Sequence, residues 1–247
     1  SRMTINEIAS NLKFADSTIF QFTKKLGYKG FRDFRNDLLT EEFDTEISIH
    51  ENLNKDDDCS TIARQVFESS IQSLKSTFKI LSFSDIEQAS KIILNSNLTF
   101  LFGIGGSNVV CGDAYDKLLR SPVKAIYSPD YHIQLMNAAL MTSNDCAFLV
   151  SHSGITKEMI LVAIEIKKHH AKLILITGYP KCELSKYADV VLYTVADETK
   201  YRSESLSSRI AQLAIIDTLF TIIMLNDEEL SKSTLHKIRE VINETKE

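Results

Sequence analysis

Three prolines and eight glycines in 247 residues are too few for a collagen-like or low-complexity chain. The four cysteines, Cys59, Cys111, Cys146 and Cys182, stand far apart without CxxC spacing, so neither a disulfide scaffold nor a zinc ribbon is expected. They read instead as reduced thiols of a cytoplasmic protein. No signal peptide is recognisable. The most apolar run, Ile210 to Leu225, is interrupted by Gln212, Asp217, Thr218 and Thr221. It falls short of the about 20 apolar residues a membrane span needs and reads as a buried or interface helix, with no membrane partner. No His/Cys/Asp/Glu cluster has ligand spacing, so no metal and no cofactor are expected.

Hydrophobic residues at 44% and charged residues at 25% suffice for a packed core. The net charge of −5 is uneven. Residues 1–40 hold seven bases and four acids, giving +3, whereas 41–60 hold one base and eight acids, giving −7. From residue 61 onward, 20 bases oppose 21 acids. This division predicts a head over 1–40, an acidic linker over 41–60 and a body over 61–247.

In the head, Thr4-Ile5-Asn6-Glu7 fits a capping box, followed by an apolar stripe of Ile5, Ile8, Ala9 and Leu12. A break at Lys13–Ala15 precedes a second stripe, Ile19, Phe22 and Leu26, with Gly27 as its left-handed cap. Two short helices around a tight break form the core of a helix-turn-helix. The body alternates strand-like runs with helices. Strands are expected at 98–102, 123–127, 146–150, 173–177 and 190–194. Helices are expected near 61–80, 85–95, 107–120, 130–142, 156–170 and 181–187, and two longer ones at 204–226 and 227–245. The alternation predicts an α/β fold, a three-layer parallel five-stranded sheet whose strand C-termini share one edge.

Two loops on that edge could carry chemistry. Gly103-Ile104-Gly105-Gly106-Ser107 follows the first strand and opens a helix, whose orphan amides and partial positive charge suit an anion. Asn108 breaks the dinucleotide fingerprint, and a P-loop Gly-Lys-Ser/Thr is absent. Ser151-His152-Ser153-Gly154-Ile155-Thr156 occupies the same place in a later unit. Its hydroxyls would either cap the helix, through Ser153 or Thr156, or cradle a phosphate. Lys157 is the one cation in either loop, so hydroxyls and amides are the expected donors.

Spaced in this way on a parallel α/β pattern, these loops resemble the sugar isomerase (SIS) phosphosugar-binding domain. The head, from Met3–Ala9 through Lys24-Lys25-Leu26-Gly27-Tyr28-Lys29-Gly30-Phe31-Arg32-Asp33-Phe34, resembles the helix-turn-helix of RpiR-family transcription regulators, which join these modules in this order. The resemblance implies a flavodoxin-like SIS sheet in which Gly105, Gly106, Ser107, Ser151, Ser153, Gly154 and Thr156 hold the phosphate of a sugar-phosphate effector. His132 and Glu204 would be sugar contacts. It further implies that Ser17, Thr18, Gln21, Lys24, Lys25 and Lys29 face operator DNA, and that the protein works as a homodimer or higher homo-oligomer. No catalytic residue is implied. A phosphosugar isomerase or lyase is the alternative, with Glu204 and His132 as its only acid–base candidates. The chain departs from the family at Ala15, where Ser or Thr usually caps the recognition helix, leaving Asp16 or Ser17 to do so. It departs again at Gln21, where Arg is usual. Measured against that family the head lacks its first helices.

Overall fold

In the computed structural model, residues 4–25, 28, 30–32, 34, 56–195 and 206–245 are described. They divide into two compact units, one ending at Phe34 and one starting at Asp56. Most of the expected acidic linker, with Leu26, Gly27, Lys29 and Glu204, lies outside the described residues.

The first unit holds α1 (Ile5–Leu12) and α2 (Asp16–Lys25). The capping box is present: Thr4 Oγ1 accepts from the Glu7 amide at 3.3 Å, and Glu7 Oε2 accepts from the Thr4 amide at 2.6 Å. Hydrogen bonds from the Thr4 backbone amide and then the Thr4 hydroxyl hold the Glu7 carboxyl below its usual range. Lys13, at φ 56° and ψ 39°, makes the left-handed turn that ends α1. Neither Asp16 nor Ser17 caps α2. The Thr18 amide donates to the Ala15 carbonyl, so Ala15 stands at the cap and Asp16 in the first turn, where its charge favours the helix dipole. Ala9, Ile19 and Phe31 form the small core.

The second unit opens with α3 (Cys59–Ile80) and α4 (Phe83–Leu94). Then β1 (Thr99–Phe102), α5 (Gly106–Leu118), β2 (Ala125–Tyr127), α6 (Tyr131–Leu140), β3 (Cys146–Val150), α7 (Lys157–Lys168), β4 (Lys172–Thr177) and β5 (Val190–Tyr193) alternate. It ends with α8 (Leu206–Asn226) and α9 (Glu228–Glu244). The helix expected over 181–187 is only a 3-10 turn, Leu184–Lys186. The strand expected from Val123 starts at Ala125, because the Val123 amide donates to Ser121 Oγ at 3.1 Å instead of to a neighbouring strand.

The five strands are parallel, in the order β2-β1-β3-β4-β5. Alternation of side chains sends Leu101, Phe148, Ile174 and Leu192 to a layer with α4, α5 and α8. Phe100, Phe102, Leu149 and Leu175 point to the other layer, with α6 and α7. By length and composition alone Ser208–Asn226 could cross a membrane. Within the fold, however, Ile215, Ile216, Leu219 and Ile223 of this helix bury against the sheet. At the start of β5, Asp189 accepts from Lys167 Nζ at 2.8 Å, the Leu173 amide at 2.9 Å and Lys172 Nζ at 3.0 Å. Partial burial pushes its carboxyl up, but these donors outweigh burial and hold it below the usual aspartate range.

A carboxyl depressed on folding stabilises at neutral pH and loses that contribution as pH falls through its folded value. Asp189→Asn is therefore expected to lower stability at pH 7 by about 1 kcal/mol, allowing for solvent screening of the lysines. Urea titrations of both proteins should converge once the pH is well below about 4.

Candidate functional site

The strand order changes direction between β1 and β3. From β1 the chain crosses by α5 to β2, and from β3 it crosses by α7 to β4, on the opposite face. The two loops therefore diverge, leaving a crevice at adjacent strand C-termini, where open α/β sheets bind ligands. The 103–107 and 151–156 segments meet here. Gly106, Ser107, Ser151, His152, Ser153 and Thr156 line a pocket of about 200 Å³ above Val150 and Met159.

The first loop is fixed by Gln134, which is 1% exposed. Its Oε1 accepts from the Gly103 amide at 3.1 Å, and its Nε2 donates to the carbonyls of Gly103 and Ser128, each at 2.9 Å. A Cβ on Gly103 would lie 2.9 Å from Cys111 Sγ, so the strand end passes tightly over α5. Gly105, at φ 59°, turns the chain into α5 with no side-chain cap; the Asn108 amide donates to the Gly105 carbonyl at 3.1 Å, so the amides left to a ligand are those of Gly106 and Ser107. Burial pushes the Cys111 thiol up to about 12, which makes it a wall and not a nucleophile.

The second loop is tied inward. Ser151 is 4% exposed, and its Oγ accepts from the Gly154 amide at 3.2 Å, leaving its proton to donate. The His152 carbonyl accepts from the Gly178 amide at 2.9 Å and from Thr177 Oγ1 at 3.0 Å. Gly154 has φ 65°, and a Cβ there would lie 2.2 Å from Cys182 Sγ, so glycine is obligatory. Capping is not the use of these hydroxyls. Thr156 stands at the N-cap of α7 without a side-chain bond to it, and the hydroxyls of Ser107 and Ser153 are likewise unengaged among the described residues.

Not every expected residue joins the pocket. His132 is exposed on the first turn of α6, its ring 5.6 Å from that of Tyr131, and is not among the pocket's walls. Gly105 and Gly154 shape the loops without lining it. Lys157 is exposed at the start of α7. In the head, Ser17, Thr18, Gln21 and Lys25 flank one open groove, while Lys24 Nζ sits 5.7 Å from the Phe20 ring centroid, on a different flank.

Two functional residues were missed by sequence reasoning. Gln134 carries no motif. Arg209 of α8 is half-buried, and a Cβ on Gly106 would lie 2.9 Å from its Nη2. The signal for Arg209 was its place near the start of a helix, where a cation opposes the dipole. Here it brings a guanidinium beside Gly106 at the first turn of α5, so that, although not among the pocket's walls, it adds a positive field to the hydroxyls and amides that line the crevice. Among the described residues no three His, Cys, Asp or Glu side chains converge as a metal site. The pocket holds one titratable ring, His152, and no carboxylate among the described residues, a lining suited to binding and not to paired acid–base chemistry.

Comparison with known proteins bears on both units. The SIS domain family matches residues 92–222, and the family described as "Helix-turn-helix domain, rpiR family" matches residues 1–45. The HTH-type transcriptional regulator RpiR of Escherichia coli K12 is 31% identical over 227 residues, 91% of this chain and 76% of that protein. An HTH-type transcriptional regulator of Haemophilus influenzae is 29% identical over 248 residues, 99% of this chain and 86% of that one. The structure of the Vibrio vulnificus NanR protein complexed with ManNAc-6P superposes with a TM-score of 0.74 at 24% identity, over 98% of this chain and 86% of that chain. At that identity the likeness speaks for the fold.

Gln134→Leu keeps the volume but strands two carbonyls and an amide. It is expected to lower the unfolding free energy by about 3 kcal/mol, read as a lower urea midpoint at unchanged slope.

Proposed function

The chain belongs to the rpiR-type helix-turn-helix family that carries a SIS domain, and from that membership we propose a transcription regulator whose SIS domain senses a sugar phosphate and whose head binds operator DNA. The observation that carries the reading is the crevice between β1 and β3. Three unengaged hydroxyls, the Ser151 proton donor and the Gly106 and Ser107 amides of α5 converge there without an acid–base pair among the described residues, and the Arg209 guanidinium lies beside Gly106.

In this reading the phosphate sits against Gly106, Ser107, Ser151, Ser153 and Thr156, with His132 and Glu204 as the sugar contacts that the family resemblance implies. Neutral donors bind the dianion through short hydrogen bonds, while the dipole of α5 and Arg209 supply the positive field. The working boundaries are 1–40 for the head, 41–60 for an acidic linker and 61–247 for the sensor. The protein acts in the cytoplasm as a homodimer, a symmetry that fits a palindromic operator. Support for self-association comes from apolar side chains left exposed along the C-terminal helices, Leu225, Leu230, Val241 and Ile242. Effector binding changes DNA affinity only through a difference in its own affinity for two head arrangements.

A panel of sugar phosphates, their parent sugars and inorganic phosphate, read by thermal shift, tests the sensor. At least one sugar phosphate should raise Tm more than its parent sugar does, and Ser153→Ala should abolish that rise; an undiminished rise in the variant removes the cradle. For the head, Lys25→Glu should weaken operator binding and flatten its salt dependence by about one counterion or more, measured by fluorescence anisotropy across salt concentrations.

A further inference from the structure

The outward face of α2 has a layout more specific than a basic surface. Ile19 and Thr23 are the buried residues of α2, at 8% and 0% exposure, and Ile19 packs with Ala9 of α1. Gln21 lies two residues from each, so at about 100° per residue it projects from the side directly opposite that seam. Ser17 and Lys25 stand one turn before and one turn after it, making a polar stripe. Beside this stripe run Thr18 and Phe22, and the five together border a groove of about 400 Å³. Phe22 touches Phe34 edge-on at a centroid distance of 6.3 Å, yet remains 53% exposed. Lys24 is drawn away from this groove to the Phe20 ring.

Each position has a distinct chemical capacity. A primary amide presents one donor and one acceptor side by side, the complement of the N7 and N6–H₂ edge of adenine in the major groove. Its two N–H donors share one nitrogen, so it cannot span guanine O6 and N7 with two parallel donors as a guanidinium can. The flanking ring and methyl group meet a thymine methyl, an apolar contact that cytosine lacks. Lys25, at the last turn, is placed for a phosphate, and the Ser17 hydroxyl serves either backbone or base.

We propose that Gln21 is the specificity-determining residue of the head, selecting adenine by a bidentate hydrogen bond at one position of each operator half-site, with Phe22 and Thr18 favouring thymine at an adjacent base. The proposal rests on the reading of the head as a DNA-binding module, and the test separates the two. The full chain and its Gln21→Arg and Gln21→Ala variants are used to select binders from a pool of random-sequence duplexes, with circular dichroism confirming that the exposed substitutions leave the helices intact. The wild type should enrich a motif containing an invariant adenine. Gln21→Arg should change that one position to guanine, and Gln21→Ala should level it, each with about tenfold or greater loss on the original site. Replacing that adenine by 7-deazaadenine, which lacks the N7 acceptor, should weaken the wild type and leave Gln21→Ala unaffected. A motif that stays the same in Gln21→Arg, or a wild-type preference for another base there, overturns the assignment while leaving DNA binding in place. Enrichment of no duplex by the folded wild type overturns the DNA-binding reading itself.

Discussion

Beyond Phe102 the β1 ladder ends, and the backbone of Gly103 would be left buried without a strand to pair with. The Gln134 amide takes that role, engaging both the N–H and the C=O of Gly103, and adds the carbonyl of Ser128 at the end of the next strand. One side chain thus fixes where two strand ends leave the sheet. Everything downstream at the crevice depends on this: the positive-φ turn at Gly105, the close pass over Cys111 and the aim of the first α5 amides. A buried polar group is stable there because each of its three bonds satisfies a backbone atom that would otherwise be stranded.

The parts that were legible in the sequence are those with local physics. The Thr4/Glu7 box, the break at Lys13 and the five strands follow from capping, handedness and short apolar runs, and the structure has them within a few residues. The loops after β1 and β3 were legible because glycine and hydroxyl clusters at strand ends have few other uses. What failed was local preference under tertiary constraint. The helix expected over 181–187 shrinks to one turn because Cys182 is packed beneath Gly154 and the Leu184 amide donates to the Gly154 carbonyl. Gln134 carried no signal and Arg209 only its place near a helix start, because each acts on a residue 31 or more positions away that its neighbours do not record.

Charge follows the same division. A net charge of −5 argues against nucleic acid only as an average, since the head carries +3 within it. At the crevice the balance is reversed: the loops contribute almost no formal charge, and positive potential comes from a helix end and one guanidinium contributed by another element. Neutral donors on rigid strand ends discriminate by geometry, whereas a cluster of lysines would attract any anion.

The crossovers from β1 and β3 lie on opposite faces of the sheet, and so do the clusters that α5 and α7 join. A molecule gripped by both loops is therefore a rivet through the rim of the sheet, fastening two outer layers that the strands hold apart. A ligand held there would touch both outer layers at once, so its binding free energy would depend on how the two layers are set against each other.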